Sequence, residues 1–289
     1  MARVFHEGIE WAGEAELVPT YVVSFSGCNM TCRFCLTGQS SQNASRGELV
    51  DAAEIANRVA GTPDLRSVTI LGGEPLVHLP AALALVALLP SRLPVVWKTN
   101  VFGSAEGLDL LEEIPDVVLA DLKFGNDACA RSLAGIDGYL AVVRENLRRA
   151  RATARLIVRH LVMPGHVECC TAPAVEWLAR ELPGVPLSLM TGFLPLFESA
   201  AAGLGRTNRP AEVERARSIV EASGVTRAPW SIAPRTHAGE KRPPGETRAA
   251  ADEVWIDRSG NLCVDSASAE LVAVLLRLAP ELKLTGTRG

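Results

Sequence analysis

The most informative part of the sequence is the ten-residue stretch Ser26-Gly27-Cys28-Asn29-Met30-Thr31-Cys32-Arg33-Phe34-Cys35. It follows the strand-like run Tyr21-Val22-Val23-Ser24-Phe25. Its CxxxCxxC spacing supplies three thiolates, from Cys28, Cys32 and Cys35, to a four-iron cluster and leaves one iron without a protein ligand. A closed cluster takes four cysteines and a structural zinc takes four ligands, so the triplet indicates an external ligand at the open iron. A zinc knuckle, or three thiols on one loop by chance, is the alternative.

A second motif follows the next strand-like run, Ser67-Val68-Thr69-Ile70-Leu71, which ends in Gly72-Gly73-Glu74-Pro75. Two glycines let a backbone approach a ligand closely, and a carboxylate beside them can pair with an ammonium group. A cysteine motif becomes a functional prediction when such a context accompanies it. We therefore expect Gly72, Gly73, Glu74 and Pro75 to bind a cofactor.

The composition is that of an ordinary globular protein. The 289 residues are 48% hydrophobic, which suffices for one large α/β domain or a domain with an appendage. A net charge of −4 gives no global attraction for nucleic acid or an anionic membrane, so we expect neither partner. Seven cysteines, three of them closely set, favour a metal site in a reducing compartment over a disulfide framework.

Membrane insertion is not expected. The apolar run from Leu79 to Leu89 is about half of the roughly 20 residues that a spanning helix needs. The first seven residues lack the apolar core of a signal peptide, which predicts a cytoplasmic protein.

From residue 18 to about 223, short β-branched runs alternate with longer helical segments. Six such βα units predict a parallel sheet with right-handed crossovers, an α/β fold that we interpret as an open, partial (β/α)6 barrel. The predicted strands are Val18 to Phe25, Ser67 to Leu71, Val95 to Thr99, Asp116 to Asp121, Ala154 to Val162 and Val185 to Met190. The predicted helices are Glu48 to Ala60, Leu79 to Leu89, Glu106 to Ile114, Tyr139 to Ala150, Ala172 to Leu182 and Pro210 to Ser223.

Ligand sites of such sheets lie at the carboxyl ends of the strands, and the polar motifs fall there. We expect five of them to converge on one mouth: the cysteine loop, Gly72 to Pro75, Lys98-Thr99-Asn100, Asp121-Leu122-Lys123 and Met163-Pro164-Gly165-His166. A lone histidine at a turn is more often a cap or surface residue, so His166 is not expected to be a ligand.

The character of the sequence changes past residue 223, and we predict three regions: an N-terminal segment at 1–17, the barrel at 18–230, and an extension at 231–289. Residues 233–250 are rich in proline, glycine and charge, which is typical of a linker or lid. We then expect a small hairpin turning at Ser259-Gly260-Asn261 and a closing helix from Ser268 to Leu278.

The cysteine motif and the Gly72 to Pro75 segment resemble those of the radical S-adenosylmethionine (SAM) superfamily. Residues 20–225 are most similar to the glycyl-radical activating enzymes, the homologues of pyruvate formate-lyase activating enzyme, through three further segments. These are Trp97 to Asn100, Val118 to Lys123 and Arg159 to His166. The resemblance implies a [4Fe-4S] cluster whose fourth iron is chelated by SAM, and a flavodoxin or ferredoxin as electron donor.

The resemblance also implies roles for individual residues. Glu74 would hold the methionyl amine of SAM, and Thr99 and Asn100 would line its carboxylate or ribose. Asp121 and Lys123 would face the mouth, where Arg159 would pair with Asp121 or with a substrate anion; an ordinary ion pair at a strand end is the alternative for each. Two residues depart from the family pattern: Lys98 replaces a common aspartate, and Val101 replaces a glycine.

The activity implied is reductive cleavage of SAM to a 5′-deoxyadenosyl radical, which abstracts hydrogen from a substrate C–H bond. One hypothesis is a tailoring enzyme for a small molecule such as a carbohydrate natural product, for example an epimerase in which the thiol of Cys263 returns the hydrogen atom. Cys263 can equally pack as a hydrophobe between its apolar neighbours. The second hypothesis is an activase acting on a protein glycine, and the third is a binding module without catalysis.

Overall fold

The computed structural model describes residues 2–232 and the backbone of two later strands. Twelve strands and eight α-helices lie within these residues. The strands are β1 (Arg3–Glu10), β2 (Ala12–Glu14), β3 (Thr20–Phe25), β4 (Glu48–Leu49), β5 (Ser67–Gly72), β6 (Val95–Thr99), β7 (Val117–Asp121), β8 (Arg155–Leu161), β9 (Leu187–Met190), β10 (Trp230–Ile232), β11 (Glu253–Ile256) and β12 (Leu262–Asp265). The helices are α1 (Gln39–Gln42), α2 (Ala52–Gly61), α3 (Leu79–Val86), α4 (Ala105–Asp109), α5 (Asp127–Ala134), α6 (Tyr139–Thr153), α7 (Ala172–Glu181) and α8 (Pro210–Ser223).

The central sheet confirms the predicted α/β architecture. Its order is β4-β1-β3-β5-β6-β7-β8-β9, and the six strands from β3 to β9 run parallel to one another. These six are the strands predicted from the sequence. Because parallel strands are covered by their crossover helices, their sequences are continuous apolar runs that are easy to recognise.

Two strands in the first 17 residues were not predicted. β1 extends the sheet antiparallel to β3, and β2 pairs with β10, which aligns Glu14 with Trp230. β1 is half-buried along most of its length, so it carries few of the apolar side chains that would have marked it in the sequence. The pairing of β2 with β10 therefore brings residues 12–14 next to residues 230–232.

One face of the central sheet carries a small apolar cluster toward the amino ends of its strands. Leu17, Val96, Leu119 and Ile157 form a buried cluster there. The opposite face packs against the helices through two larger clusters, one of which contains the fully buried Trp97. Both faces of the sheet are thus covered by hydrophobic packing before the strands reach their carboxyl ends.

The helix predicted from Glu48 begins later. Glu48 and Leu49 pair with β1 as β4, and α2 starts after Asp51, whose carboxylate accepts a hydrogen bond from Ala53 N at 2.7 Å. Such a cap satisfies a backbone donor at the first turn and so fixes where the helix begins. The predicted helix from Glu106 to Ile114 is also shorter and ends at Asp109.

The later chain is described only in part. β11 and β12 pair antiparallel, which confirms the hairpin, with Trp255 opposite Cys263. The predicted linker at 233–250, the turn at Ser259 to Asn261 and the helix from Ser268 to Leu278 lie outside the described residues. The division into three regions stays a prediction. In the part of the chain that the structure describes, no helix has the length and apolar character to cross a bilayer.

We predict that Asp51→Ala lowers the free energy of unfolding by about 1 kcal/mol, since Ala53 N loses its acceptor. Asp51→Asn keeps an acceptor and should retain most of the stability. Urea unfolding followed by circular dichroism measures both variants, and an equal loss in the two would show that the cap does not set the start of α2.

Candidate functional site

The cysteine loop leaves the carboxyl end of β3 and is held by the end of α5. Thr31 N donates to Ala134 O at 3.3 Å and Arg33 N donates to Leu133 O at 2.9 Å. On either side of these anchors Met30 and Phe34 are buried in the core, and Phe34 packs edge-on against Phe124 with ring centroids 5.8 Å apart. The loop is therefore fixed by backbone and packing rather than by its cysteines.

The thiols of this loop suit an iron–sulfur cluster. Cys32 is buried, whereas Cys28 and Cys35 are half-buried. Burial raises the pKa of Cys28 to about 11 and that of Cys32 to about 12, and the neighbouring thiols add to both shifts. Cluster binding must therefore displace protons from these sulfurs.

Polar groups surround two of the sulfurs. Cys35 Sγ lies 3.4 Å from the hydroxyls of both Thr37 and Ser41, and Met30 N donates to Cys28 Sγ at 3.4 Å. Hydrogen bonds to ligating sulfurs tune the potential of a cluster. Three soft thiolates with such donors fit an iron–sulfur group.

The two glycines after β5 permit a close approach of backbone to backbone. Gly73 N donates to Phe25 O at 2.8 Å, and Glu74 N donates to Gly27 O at 2.9 Å. A Cβ atom at Gly73 would lie 2.1 Å from Gly27 O, and one at Gly72 would lie 2.1 Å from Phe25 O. The glycines therefore join the predicted SAM-binding segment to the start of the cysteine loop, which is a different role from the expected contact with a ligand.

Glu74 lies where this segment meets the end of β6. Its carboxylate is fully buried and accepts hydrogen bonds from Thr99 Oγ1 at 2.8 Å, Asn100 N at 2.6 Å and Leu76 N at 3.1 Å. Burial raises the pKa of Glu74 to about 7, although these three donors work against the shift. A carboxylate has about four lone-pair sites, so one remains for a further donor.

Thr99 and Asn100 come together with Glu74 as predicted, and they also reach the cysteine loop. Asn100 Nδ2 donates to Asn29 Oδ1 at 2.8 Å and lies 3.9 Å from Cys28 Sγ. Asn100 thus links Glu74, through its backbone N–H, to the cysteine loop, through its side-chain amide. Asn29 was not predicted as a site residue, because nothing in its local sequence marks it.

Val101 has a backbone conformation that favours glycine. Its φ is +51°, a region that is a genuine outlier for a β-branched residue, and its side chain is fully buried. Val101 N donates to Thr99 Oγ1 at 3.0 Å, and Asn146 of α6 donates to Val101 O at 2.8 Å. The surrounding contacts hold a strained turn directly beside Glu74, as is common at functional sites.

Charged side chains line the inside of the sheet immediately above the apolar end. In each of three strands the residue two positions after an interior apolar residue is charged, so Lys98, Asp121 and Arg159 follow Val96, Leu119 and Ile157 on the same face. Lys123 Nζ donates to Asp121 Oδ2 at 2.6 Å. The period of two therefore places the predicted charged residues at one mouth.

Arg159 does not pair with Asp121, which is one of the two partners expected for it from the sequence. Its Nε lies 3.4 Å from Glu14 Oε1 of β2, its Nη2 contacts Met190 Sδ at 3.6 Å, and its guanidinium lies 5.8 Å from the ring of Trp230. Asp121 is paired with Lys123 instead. Glu14 is a site residue that sequence reasoning missed, since it reaches the mouth only through the pairing of β2 with β10.

The interior charges shift one another's pKa values. Burial alone would raise the pKa of Asp121, but Lys123, Arg159 and Lys98 outweigh it and lower that pKa to about 2. Burial and the nearby Arg159 lower the pKa of Lys98 to about 8. Three cationic residues face two carboxylates, which leaves one positive charge in excess when all are ionised.

A comparison with protein families matches residues 22–178 to the radical SAM superfamily. The chain belongs to the radical SAM superfamily. Members use SAM and a [4Fe-4S] cluster, and the cysteine loop and the Gly72 to Pro75 segment occupy adjoining ends of β3 and β5. The predicted cofactors and the predicted fold class are thereby confirmed.

The chain is also similar to one curated protein and to two solved structures, among others. The uncharacterised protein MJ0674 of Methanocaldococcus jannaschii is 30% identical over 72% of this chain, and the chain covers 64% of its length. Streptococcus suis SuiB bound to SAM has a TM-score of 0.52 at 15% identity, over 72% of this chain and 51% of that one. A domain of pyruvate-formate lyase-activating enzyme from Bacteroides vulgatus has a TM-score of 0.46 at 20% identity, over 56% of this chain and 96% of that one. At 15% identity, the likeness to SuiB shows the fold.

Cys263 cannot be related to the mouth in the same way. It lies in β12 within the pairing with β11, and its side chain is outside the described part of the structure. Its role as a hydrogen donor is a prediction that only experiment can address.

We predict that Gly73→Ala prevents cluster assembly. The added methyl would meet the backbone oxygens of Gly27 and Ser41 at 2.1 and 2.3 Å, at a cost of about 3 kcal/mol. Gly192→Ala is the matched control, because a Cβ there has no neighbour within 4 Å. Iron per chain after anaerobic reconstitution should fall in the first variant and stay at the wild-type value in the second; equal iron in both would contradict the close-approach role.

Proposed function

We propose that this radical SAM enzyme acts on a small molecule, with carbohydrates as the first class to test, and that it epimerises a carbon centre. The observation that carries the proposal is the cationic interior at the strand ends. The cationic side chains of Lys98, Lys123 and Arg159 at the strand ends suit a polar or anionic small molecule, whereas a backbone glycine offers no charge for them to bind.

Lys98 gives the strongest support to a small-molecule substrate. It stands where the family commonly has an aspartate, and within residues 2–232 no carboxylate lies within 4.0 Å of its ammonium group. Lys98 is half-buried, and partial loss of water disfavours its charged form, so a bound anionic or strongly polar group would stabilise the ammonium group. The carboxylate of SAM or a polar group of the substrate can fill this position.

The SAM-binding residues follow from the same geometry. Glu74 retains one lone pair for the amino group of SAM, and Gly72, Gly73 and Pro75 hold that carboxylate against the cluster loop. Thr99 and Asn100 fix the orientation of Glu74 from the end of β6. Cys28, Cys32 and Cys35 hold the cluster, to which a flavodoxin or ferredoxin supplies electrons.

SAM and the cluster, when bound, supply a 5′-deoxyadenosyl radical that removes a hydrogen atom from a substrate carbon. The residues of the chain exclude water and other hydrogen donors from the mouth, and Asp121 with Lys123 and Arg159 with Glu14 keep it charged and ordered. Cys263 then gives the hydrogen atom of its S–H bond to the opposite face of the substrate radical. The sulfur radical that remains takes one electron and one proton, the electron coming from the flavodoxin or ferredoxin, which restores the thiol.

The second candidate is an activase that removes a hydrogen atom from a glycine of a partner protein. The motif similarity to the activating enzymes over residues 20–225 favours it. In that case no hydrogen atom returns to the substrate, and a stable glycyl radical accumulates on the partner.

We predict that the wild-type protein, reconstituted anaerobically, binds about four irons and with reductant converts SAM to 5′-deoxyadenosine. Cys32→Ala should lose the iron and the nucleoside product, because two thiolates cannot hold the cluster. Leu36→Ala, an exposed neighbour outside the motif, is the control and should retain the iron. Cleavage that persists in Cys32→Ala would contradict the cluster assignment.

We further predict that turnover with a panel of candidate sugars in deuterium oxide yields an epimer with one deuterium at the inverted carbon. Solvent exchange labels the thiol of Cys263, so Cys263→Ala should form 5′-deoxyadenosine without deuterated epimer. Mass spectrometry and NMR of the product measure this.

Unchanged deuterium incorporation in Cys263→Ala would refute the donor role of that cysteine. A glycyl-radical signal in electron paramagnetic resonance, formed with a partner protein while no sugar reacts, would refute the small-molecule proposal and establish the activase.

A further inference from the structure

A second group of metal-binding side chains lies apart from the cysteine loop. Cys129, at the start of α5, meets His166, Cys169 and Cys170, which follow β8. Their four ligand atoms all lie within 4.8 Å of one another, and no other group of three or more His, Cys, Asp or Glu ligands in the described residues is arranged in this way.

The separations of these atoms match a single tetrahedral ion. Cys129 Sγ lies 3.8 Å from Cys169 Sγ and 3.5 Å from His166 Nδ1. His166 Nδ1 lies 3.4 Å from Cys169 Sγ and 3.9 Å from Cys170 Sγ. Bonds of about 2.3 Å to sulfur and about 2.0 Å to nitrogen at tetrahedral angles require about 3.8 Å between sulfurs and about 3.6 Å between sulfur and nitrogen. A four-iron cube binds each sulfur to a different iron and needs wider spacing.

The backbone that carries three of these ligands has an unusual form. Val167–Thr171 is a π-helical turn, in which Thr171 N donates to His166 O at 3.3 Å. Single π-helical turns are rare and occur frequently at functional sites. The turn places positions 166, 169 and 170 on one side, where α5 presents Cys129.

Asn126 supports the group from outside. Its Nδ2 donates to Cys169 O at 2.6 Å and to Cys129 Sγ at 3.2 Å, and its Oδ1 accepts from Cys129 N at 2.8 Å. Such hydrogen bonds orient ligands and stabilise thiolate charge. Cys169 is exposed while Cys170 is buried, so an ion can enter from one side and be enclosed on the other.

We propose that Cys129, His166, Cys169 and Cys170 bind one zinc ion as a closed structural site. Three thiolates and one imidazole are a standard ligand set for structural zinc. The spacing His166-x-x-Cys169-Cys170 is visible in the sequence, but Cys129 lies 37 positions before His166, and only the fold brings it into place.

The zinc site would stabilise the cluster loop at a distance. α5 begins beside Cys129 and ends at the carbonyls of Leu133 and Ala134, which hold Arg33 and Thr31. An ion that fixes the start of α5 to the turn after β8 therefore also fixes the support of the cysteine loop. The four residues are positioning residues for the cluster rather than catalytic residues.

Metal analysis of the full-length chain, purified anaerobically from medium containing zinc and iron, tests the proposal. We expect about one zinc per chain in the wild type and in a variant with Cys28, Cys32 and Cys35 all changed to alanine. Cys129→Ser and His166→Ala should lower the zinc content about tenfold. Zinc-edge X-ray absorption should show three sulfur ligands and one nitrogen ligand.

Two further variants keep the test decisive if a ligand variant folds poorly. His166→Cys offers four thiolates, another structural zinc set, and should restore the zinc with an all-sulfur absorption spectrum. His6→Ala is the matched control for His166→Ala, because His6 lies in β1 and its ring contacts Glu10, and it should keep its zinc. Any of four results would overturn the proposal: no zinc in the wild type, zinc lost with the Cys28 triplet, about eight irons per chain, or a Cys129–Cys169 disulfide in the anaerobically purified protein.

Discussion

The structure depends on the contact between the ends of two neighbouring parallel strands. The backbone after β5 lies directly on the backbone after β3, through the hydrogen bonds of Gly73 and Glu74 to Phe25 and Gly27. Only residues without a Cβ fit there. This contact fixes the distance between the segment that carries Glu74 and the loop that carries Cys28.

A network of polar contacts extends this constraint across the mouth. Glu74 is held by Thr99 and Asn100, and Asn100 reaches Asn29 in the cluster loop. Further along the sheet, Asp121 pairs with Lys123 and Arg159 pairs with Glu14; of these four side chains Glu14 is buried and the other three are half-buried. Removing Arg159 would leave the buried carboxylate of Glu14 without its cation. Within residues 2–232, Lys98 has no carboxylate within 4.0 Å of its ammonium group.

The sequence predicts the sheet well because its strands are buried on both faces. All six parallel strands appear as apolar runs, and period-two alternation is enough to place Lys98, Asp121 and Arg159 on one face. Helix starts are less visible: a single capping residue, Asp51, decides that Glu48 belongs to a strand. The strained conformation of Val101 could not be seen either, since valine gives no local signal for a positive φ.

Contacts between distant parts of the chain were beyond sequence reasoning. Glu14 enters the site through the pairing of β2 with β10, more than two hundred residues away. In the sequence His166 is a lone histidine at a turn, and only the fold brings it beside Cys129, which lies on a helix that the hydrophobic pattern did not reveal. Both contacts depend on the tertiary fold, which no short sequence motif specifies.

The claim that SAM binds the iron without a cysteine ligand is tested most directly by electron–nuclear double resonance of the reduced protein. The SAM is labelled at its amino nitrogen and its carboxylate oxygens. Coordination of SAM to the iron that lacks a cysteine predicts strong coupling from both labels. A cluster that shows no coupling to either label, or a fourth protein ligand on that iron, would contradict it.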